Sequence, residues 1–157
     1  MKLSIEIANL SDLNEINAIV KAGHDDHAEA LPHIFKKVEA VMPESYYKEL
    51  LMDANCAVLI AKEKEEIIGF AVMELHVSPS FESMVQRKFA YMNDLGIKRN
   101  SQRKGIGKAL FEACVEWSKN KGATSLDLNV WEFNQTAISF YENFEMKNLS
   151  RKMTLPL

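Results

Sequence analysis

Cysteine is scarce in this chain: Cys56 and Cys114 are the only two, each set among apolar neighbours. So few cannot staple a small fold, and the expected state of both is a buried, reduced thiol in a cytoplasmic protein. A basic excess is also missing. The formal net charge is −3, whereas a nucleic-acid-binding domain carries a positive balance, so no nucleic-acid partner is expected. No stretch approaches the roughly 18 uninterrupted apolar residues of a membrane span. The opening "MKLSIEIANL" is strand-like and holds no signal-peptide core. Repeats, low-complexity tracts and linkers are absent as well. What remains is ordinary globular composition, 47% hydrophobic and 26% charged. Residues 1–157 are therefore expected to form a single domain with a sizeable core.

The apolar periodicity supplies the elements. Leu3 to Ile7 alternate as a strand, and Ser11 reads as the N-cap of a helix whose face holds Leu13, Ile16 and Val20. "KAGHDDHAEALPHIFKK" has no clean period and reads as a loop with a short helical stretch. A second helix starts at Pro43, and "CAVLIAKEKEEIIGFAVMELHV" reads as a hairpin turning at "KEKEE". "RKFAYMNDLGI" is a strand, residues 105–121 a helix closed by Gly122, and "TSLDLNV" a strand. "NQTAISFYENF" is a helix and "MKNLSRKMTL" a last strand. The order β-α-α-β-β-β-α-β-α-β describes an α/β fold with a mixed sheet.

Between the third-last strand and its helix lies "KRNSQRKGIGK", where positive charge and bare backbone gather in a mildly acidic chain. Ile106, Leu110, Cys114 and Trp117 lie on one face of the helix, so it packs on the sheet while its first turn keeps unpaired N–H groups. Gly105 and Gly107 would let an anion approach those groups, and Arg103, Lys104 and Lys108 act with the helix dipole. The turn suits a phosphate or pyrophosphate; a solvated basic loop with glycines that ease the reversal is the plainer alternative. The Walker pattern lacks its first glycine, since that position is Gln102. The dinucleotide fingerprint lacks its third, at Leu110, and its glycine turn belongs after a first strand, not a fourth.

Gln102-Arg103-Lys104-Gly105-Ile106-Gly107 instead resembles the Q/R-x-x-G-x-G/A pyrophosphate loop of the GNAT superfamily of acyl-CoA N-acyltransferases. "YMNDLGI" is similar to the strand before that loop, and "NQTAISFYENF" to the downstream N-x-x-A-x-x-F-Y-x-x-G-F segment. The match is confined to about residues 90–146, while the element order covers the chain. The resemblance implies a GNAT-like, mostly antiparallel sheet of six to seven strands flanked by about four helices. It implies acetyl-CoA as cosubstrate, a small-molecule or peptide amine as acceptor, and direct attack in a ternary complex. A homodimer suits the family.

Carried over residue by residue, the resemblance sets the pyrophosphate on the backbone of Arg103 to Lys108 beside Gln102, with Ile106 inside that turn. The pantetheine arm runs along Leu95, Gly96 and Ile97 like an added strand, with Gly96 marking a bulge or a close approach. Asn134 caps the last helix or contacts pantetheine amides, Ala137 leaves room for the arm, and Phe140 packs. Tyr141 becomes the general acid that protonates the leaving thiolate. Some polyamine-acetylating members carry a glutamate base where this chain has Asn93, which cannot take a proton. Asp94 is the nearest carboxylate, with Glu74, His76 and Glu132 as bases through water. Asn143 replaces a family glycine and is expected to accept a left-handed backbone.

"HDDHAEALPH" groups three histidines with acids, but at no recognised ligand spacing, so no metal is expected. Its acids Asp25, Asp26 and Glu29 are expected to steer a cationic amine. The missing carboxylate at Asn93 keeps open a second reading, a CoA-binding sensor or partner-binding module without catalysis.

Overall fold

β2 (Cys56–Glu63) and β3 (Glu66–Val77) are the most apolar strands, and both lie at the centre of the sheet. Continuous apolar runs of this kind are buried on both faces. Val58, Ile60, Phe70 and Val72 point into one cluster, while Ala57, Leu59, Ala71 and Met73 point into another. The hairpin between them closes on Lys64 and Glu65, both at positive φ, as a two-residue turn that follows the strand twist. This computed structural model describes residues 2–157.

β1 (Leu3–Ile7) pairs antiparallel with β2, β4 (Lys88–Ile97) antiparallel with β3, and β5 (Leu126–Leu128) parallel with β4. The order is β1-β2-β3-β4-β5. Against the first face pack α1 (Leu13–Ala30) and α2 (Glu44–Met52), through Ile16, Ile19, Val20, Tyr47 and Leu50. The Tyr47 hydroxyl donates to the Asn9 carbonyl at 2.5 Å, which ties α2 to the turn before α1. On the second face lie α3 (Ile106–Asn120) and α4 (Gln135–Glu142). Ala57, Ala71 and Ala90 present small side chains there to Leu110, Phe111 and Cys114 of α3. Among the described residues, no helix is long and apolar enough to cross a membrane.

Several expectations need correction, although the mixed α/β class holds. Among the described residues the sheet has five strands, not six to seven. Residues 124–130 keep only Leu126–Leu128 in the ladder, and 146–155 form no strand because no edge pairs with them. Most of the supposed loop is the second half of α1. Its period is hidden because between the buried Val20 and Ala28 the inward side carries no large apolar residue, only the half-buried Ala22, His24 and His27. The N-terminal cap is Asn9, not Ser11. Asn9 forms a capping box with Asp12 around the 3-10 turn Leu10–Asp12, and Ser11 donates to the Asn9 carboxamide. After α4 the left-handed residue is Glu145 (φ 65°), while Asn143 stays helical (φ −64°).

Candidate active site

The cleft begins with a defect in β4. Val72 pairs with Asp94 but Met73 pairs with Met92, so Asn93 is an extra residue that bulges the strand. On the other side, β5 pairs with Ala90, Tyr91 and Met92 and then stops. From Asn93 to Ile97, β4 therefore keeps β3 on one flank and has no strand on the other. The open edge at Leu95, Gly96 and Ile97 lies where the sequence puts an added strand. Gly96 is not the bulge, however. A Cβ there would stand 2.6 Å from Phe70 Cε1 and 3.1 Å from Ile19 Cγ2, so this glycine serves close packing under α1.

The open edge leads into the basic turn. Gln102 Nε2 donates to the Ile97 carbonyl at 3.4 Å and braces the turn against the strand end. Arg103 (φ 63°) and Gly105 (φ 80°) take left-handed conformations on either side of Lys104. From Arg103 to Lys108 no backbone N–H finds a backbone acceptor, and α3 has no side-chain cap. Successive N–H groups in such a turn form an anion-binding nest at a helix N-terminus. A Cβ on Gly105 would meet nothing within 4 Å, so the nest is open there. Gly107 has a different reason. Its Cβ would lie 3.2 Å from Phe140 Cε1, so it allows α3 to rest on α4 rather than exposing backbone. Ile106 is buried beneath the turn, and the Arg103, Lys104 and Lys108 side chains stand at its surface.

α4 brings a phenol to the other wall. Asn134 accepts from the Ala137 N–H at 3.2 Å and so acts as the helix cap. One face of α4 carries Phe140, Tyr141 and, just beyond its end, Phe144 against Phe111 of α3. The Tyr141 hydroxyl touches Met92 Sδ at 4.0 Å, a weak acceptor, so its proton is free for a stronger one. Burial raises the Tyr141 pKa well above the ordinary phenol range, and the charges of Asp94 and Cys114 add to this. The group therefore stays protonated throughout the physiological range.

The remaining side chains come from four elements. Asp94 sits beyond the bulge and accepts from the Leu95 N–H at 2.9 Å. Surrounding protein raises its carboxyl pKa, while the Leu95 N–H and a protonated His27 pull it down. Tyr46 of α2 accepts from Asn93 Nδ2 at 3.4 Å, and its pKa is raised by burial and by Glu74. A chain of edge-to-face rings lies over this end. Trp131 meets Phe35 at 5.6 Å, Phe35 meets His27 at 5.8 Å, and His27 meets Phe133 at 5.2 Å. Trp131, Phe133 and Tyr46 each keep about two fifths of their surface exposed, at 39%, 40% and 38%. Sequence reasoning missed Tyr46, Phe35, Trp131 and Phe133. The one available signal was the pair of aromatics around Glu132 just before Asn134.

Other candidates are occupied elsewhere. Asp25 pairs with Lys21 at 3.3 Å, Asp26 with Arg99 at 2.8 Å and Glu29 with Lys37 at 3.0 Å, so each acid already has a cation. Glu74 pairs with His76 at 3.0 Å on β3, and Glu132 stays exposed in the turn before α4. His24 and His27 bond to the carbonyls of Lys36 and Gly23. Among the described residues, no group of three His, Cys, Asp or Glu side chains is placed to hold a metal ion.

Comparison with known proteins follows the same outline. The family model described as "Acetyltransferase (GNAT) family" matches residues 22–146. The uncharacterized N-acetyltransferase YhfO of Bacillus subtilis (strain 168) is 31% identical over 99 residues, covering 63% of this chain and 64% of that protein. The mycothiol acetyltransferase of Renibacterium salmoninarum is 27% identical over 128 residues, covering 82% of this chain but only 34% of that protein. The chain thus spans less than two thirds of either curated relative. Among solved structures, a mutant of the BH1408 protein from Bacillus halodurans superposes with a TM-score of 0.95 at 28% identity, covering 98% of this chain and 99% of that one.

Proposed function

Because the chain belongs to the acetyltransferase (GNAT) family, we propose that it transfers an acetyl group from acetyl-CoA to a primary amine. The observation that carries this reading is the continuity of two open backbone surfaces. The unpaired N–H groups of Arg103 to Lys108 run into the unpaired edge of β4, and that edge ends between Asp94 and Tyr141. Acetyl-CoA, when bound, supplies an acetyl thioester; everything else is the work of this chain. The nest receives the pyrophosphate with Arg103, Lys104 and Lys108, and the Leu95–Ile97 edge pairs with the pantetheine amides. Asn134 and Ala137 border the arm, and Phe140 holds α4 against the turn.

Tyr141 gives its proton to the departing sulfur as the C–S bond breaks. Asp94 receives the amine proton, directly or through water, as the C–N bond forms. The resulting phenolate and carboxylic acid share one cleft, so the proton returns from Asp94 to Tyr141 and both groups reset. A phenol held protonated and a carboxyl whose pKa lies above its ordinary value are a pairing suited to general acid–base catalysis. The ring chain over Asp94 bounds the acceptor, whose ammonium form aromatic faces attract and which gives up one proton to solvent before the neutral amine attacks. Residues 1–157 act as one domain, and two free thiols suit a cytoplasmic setting.

A thiol-release assay with acetyl-CoA and a panel of primary amines tests the reading. Amine-dependent thiol release is expected. Tight acetyl-CoA binding without release for any amine favours the second reading, a CoA-binding module, which rests on Asn93 standing where no proton can be taken.

A further inference from the structure

The turn that leads into α4 reads Trp131-Glu132-Phe133, and its two rings reach the end of α1 and the segment behind it. The Asn134 N–H donates to the Trp131 carbonyl at 2.9 Å and the Gln135 N–H to the Phe133 carbonyl at 3.1 Å, so the backbone under both rings is fixed. Phe35 is turned back onto α1, where its N–H donates to the Leu31 carbonyl at 2.9 Å. His27 Nδ1 donates to the Gly23 carbonyl at 2.8 Å, which holds the imidazole on the helix. Trp131, Phe35, His27 and Phe133 thus form a circuit that starts and ends in one turn. Its junctions are edge to face, at 88°, 86° and 85°.

Packing alone does not account for the circuit. Rings that only clamped the turn to α1 would be covered, yet Trp131 and Phe133 keep 39% and 40% of their surface open. Clustered aromatic surface of this kind beside a polar group is what a small-molecule site presents. The polar group is Asp94, an exposed carboxylate close enough to His27 to feel its charge. The neighbouring charges narrow the ligand. Asp25, Asp26 and Glu29 each face a cation, and Glu74 faces His76. Among the described residues at this end, Asp94 and the exposed Glu132 are left without an ion pair. A polycation is held by several free carboxylates, which the site does not offer. One ammonium suits Asp94, and the rest of the molecule must suit aromatic walls. Ring pairs favour edge-to-face or offset contact at about 4.5–7 Å, so a further ring continues the arrangement already present.

We propose that the acceptor is a primary monoamine carrying an aromatic ring, which packs on Trp131 and Phe133 while its nitrogen reaches Asp94. This assignment rests on the acyl-transfer reading and adds the class of acceptor to it. Trp131 and Phe133 set specificity without touching the reacting atoms.

Four amines separate ring, shape and charge in the thiol-release assay: 2-phenylethylamine, 2-cyclohexylethylamine, ethylamine and spermidine. kcat/KM for 2-phenylethylamine should exceed that for ethylamine by on the order of 10- to 100-fold, the worth of burying a ring. It should exceed that for 2-cyclohexylethylamine by about two- to tenfold, since the saturated ring fills the same space without a quadrupole. Spermidine should gain nothing from its extra charges. Trp131→Leu and Phe133→Leu should each cut the preference for 2-phenylethylamine over ethylamine by about tenfold, with acetyl-CoA affinity retained. Rings that only clamped the turn would instead change all four amines alike, which overturns the proposal. Tryptophan emission of the intact chain with coenzyme A gives a readout without turnover. 2-Phenylethylamine should shift it to the blue by taking water from Trp131, and ethylamine should not. If a variant does not fold, that shift decides, and its absence overturns the proposal. Release that ignores the ring, or that favours spermidine, overturns the proposal alone. Release with no amine overturns the transfer reading and the proposal with it.

Discussion

The two ends of the cleft are built from different parts of the chain. The turn from Gln102 to Lys108 is almost wholly backbone: unpaired N–H groups, two left-handed residues and a helix start, with basic side chains only around the rim. The end beyond the bulge is almost wholly side chain, with Asp94 from β4, Tyr46 from α2, His27 from α1, Tyr141 from α4 and rings from two loops. A backbone site depends on conformation, which a few local residues dictate. A side-chain site depends on elements far apart in sequence meeting at one place. The first tolerates little change at one glycine; the second should tolerate change at most positions except those that move protons.

The largest contrast is expected at Gly105, where the cavity is open and φ is 80°. Asp and Asn both accept a left-handed backbone, so Gly105→Asp and Gly105→Asn differ mainly in charge. Like charges set together cost several kcal/mol, so Gly105→Asp should weaken acetyl-CoA binding by on the order of 10³-fold. Gly105→Asn should cost less than about tenfold, as a control for strain. Equal losses in calorimetric titration would mean that the turn senses shape and not phosphate charge.

At the opposite wall, Tyr141→Phe keeps the ring against Phe111 and Phe140 and removes only the proton donor. A fall in kcat of about 10²-fold, equivalent to about 2.7 kcal/mol, is expected with acetyl-CoA affinity and melting temperature retained. Affinity falling in step with kcat would make Tyr141 a binding residue, and the division between the two ends would blur.

Asp94 sharpens the comparison through pH. The carboxyl must be ionised to take a proton, so activity should rise with pH through its pKa. Asp94 is solvent-accessible, but the protein packed around its carboxyl raises that pKa, so the acidic limb of kcat/KM should lie above the ordinary carboxylate range. Asp94→Asn should slow the reaction by about 10- to 100-fold above the limb and abolish the limb itself. His27→Ala removes a cation that lowers the Asp94 pKa, so the limb should move to higher pH. A profile unchanged in Asp94→Asn would place the base elsewhere.

The smallest effect is expected from neutralising Asp25, Asp26 and Glu29 together. Each already faces Lys21, Arg99 or Lys37, so the field they project toward an incoming amine is largely cancelled. The acceptor KM should change by less than about twofold at low salt, with stability lowered by no more than the small contribution of exposed ion pairs. A large rise in KM, erased by salt, would restore the steering role and make the acceptor end partly electrostatic.

Legibility followed the same division. Gly105, Gly122 and the Gln102–Lys108 spacing mark conformations that only a few residues adopt, so their purpose can be read locally. The apolar runs of β2 and β3 announce a central hairpin for the same reason. Gly96 and Gly107 look alike in sequence but answer to contacts with Phe70 and Phe140, residues 26 and 33 positions away. The helical course of residues 21–30 was hidden because its inward side is made of alanine and histidine, with no large apolar residue to mark the period. The bulge at Asn93 left no trace, since nothing in "YMNDLG" states which residue β3 will skip.

By itself, the sequence determined the order of the strands and helices from α2 to α4, the apolar centre of the sheet and an open basic turn ahead of α3, because each is set by periodicity or by backbone freedom within a few residues. Tertiary structure alone decided where β4 parts from β5, that the Tyr141 hydroxyl meets only the weak acceptor Met92, which acids are already neutralised, and that residues 147–157 join no strand. Those outcomes depend on register and on contacts between distant segments, and such contacts exist only once the whole chain has packed.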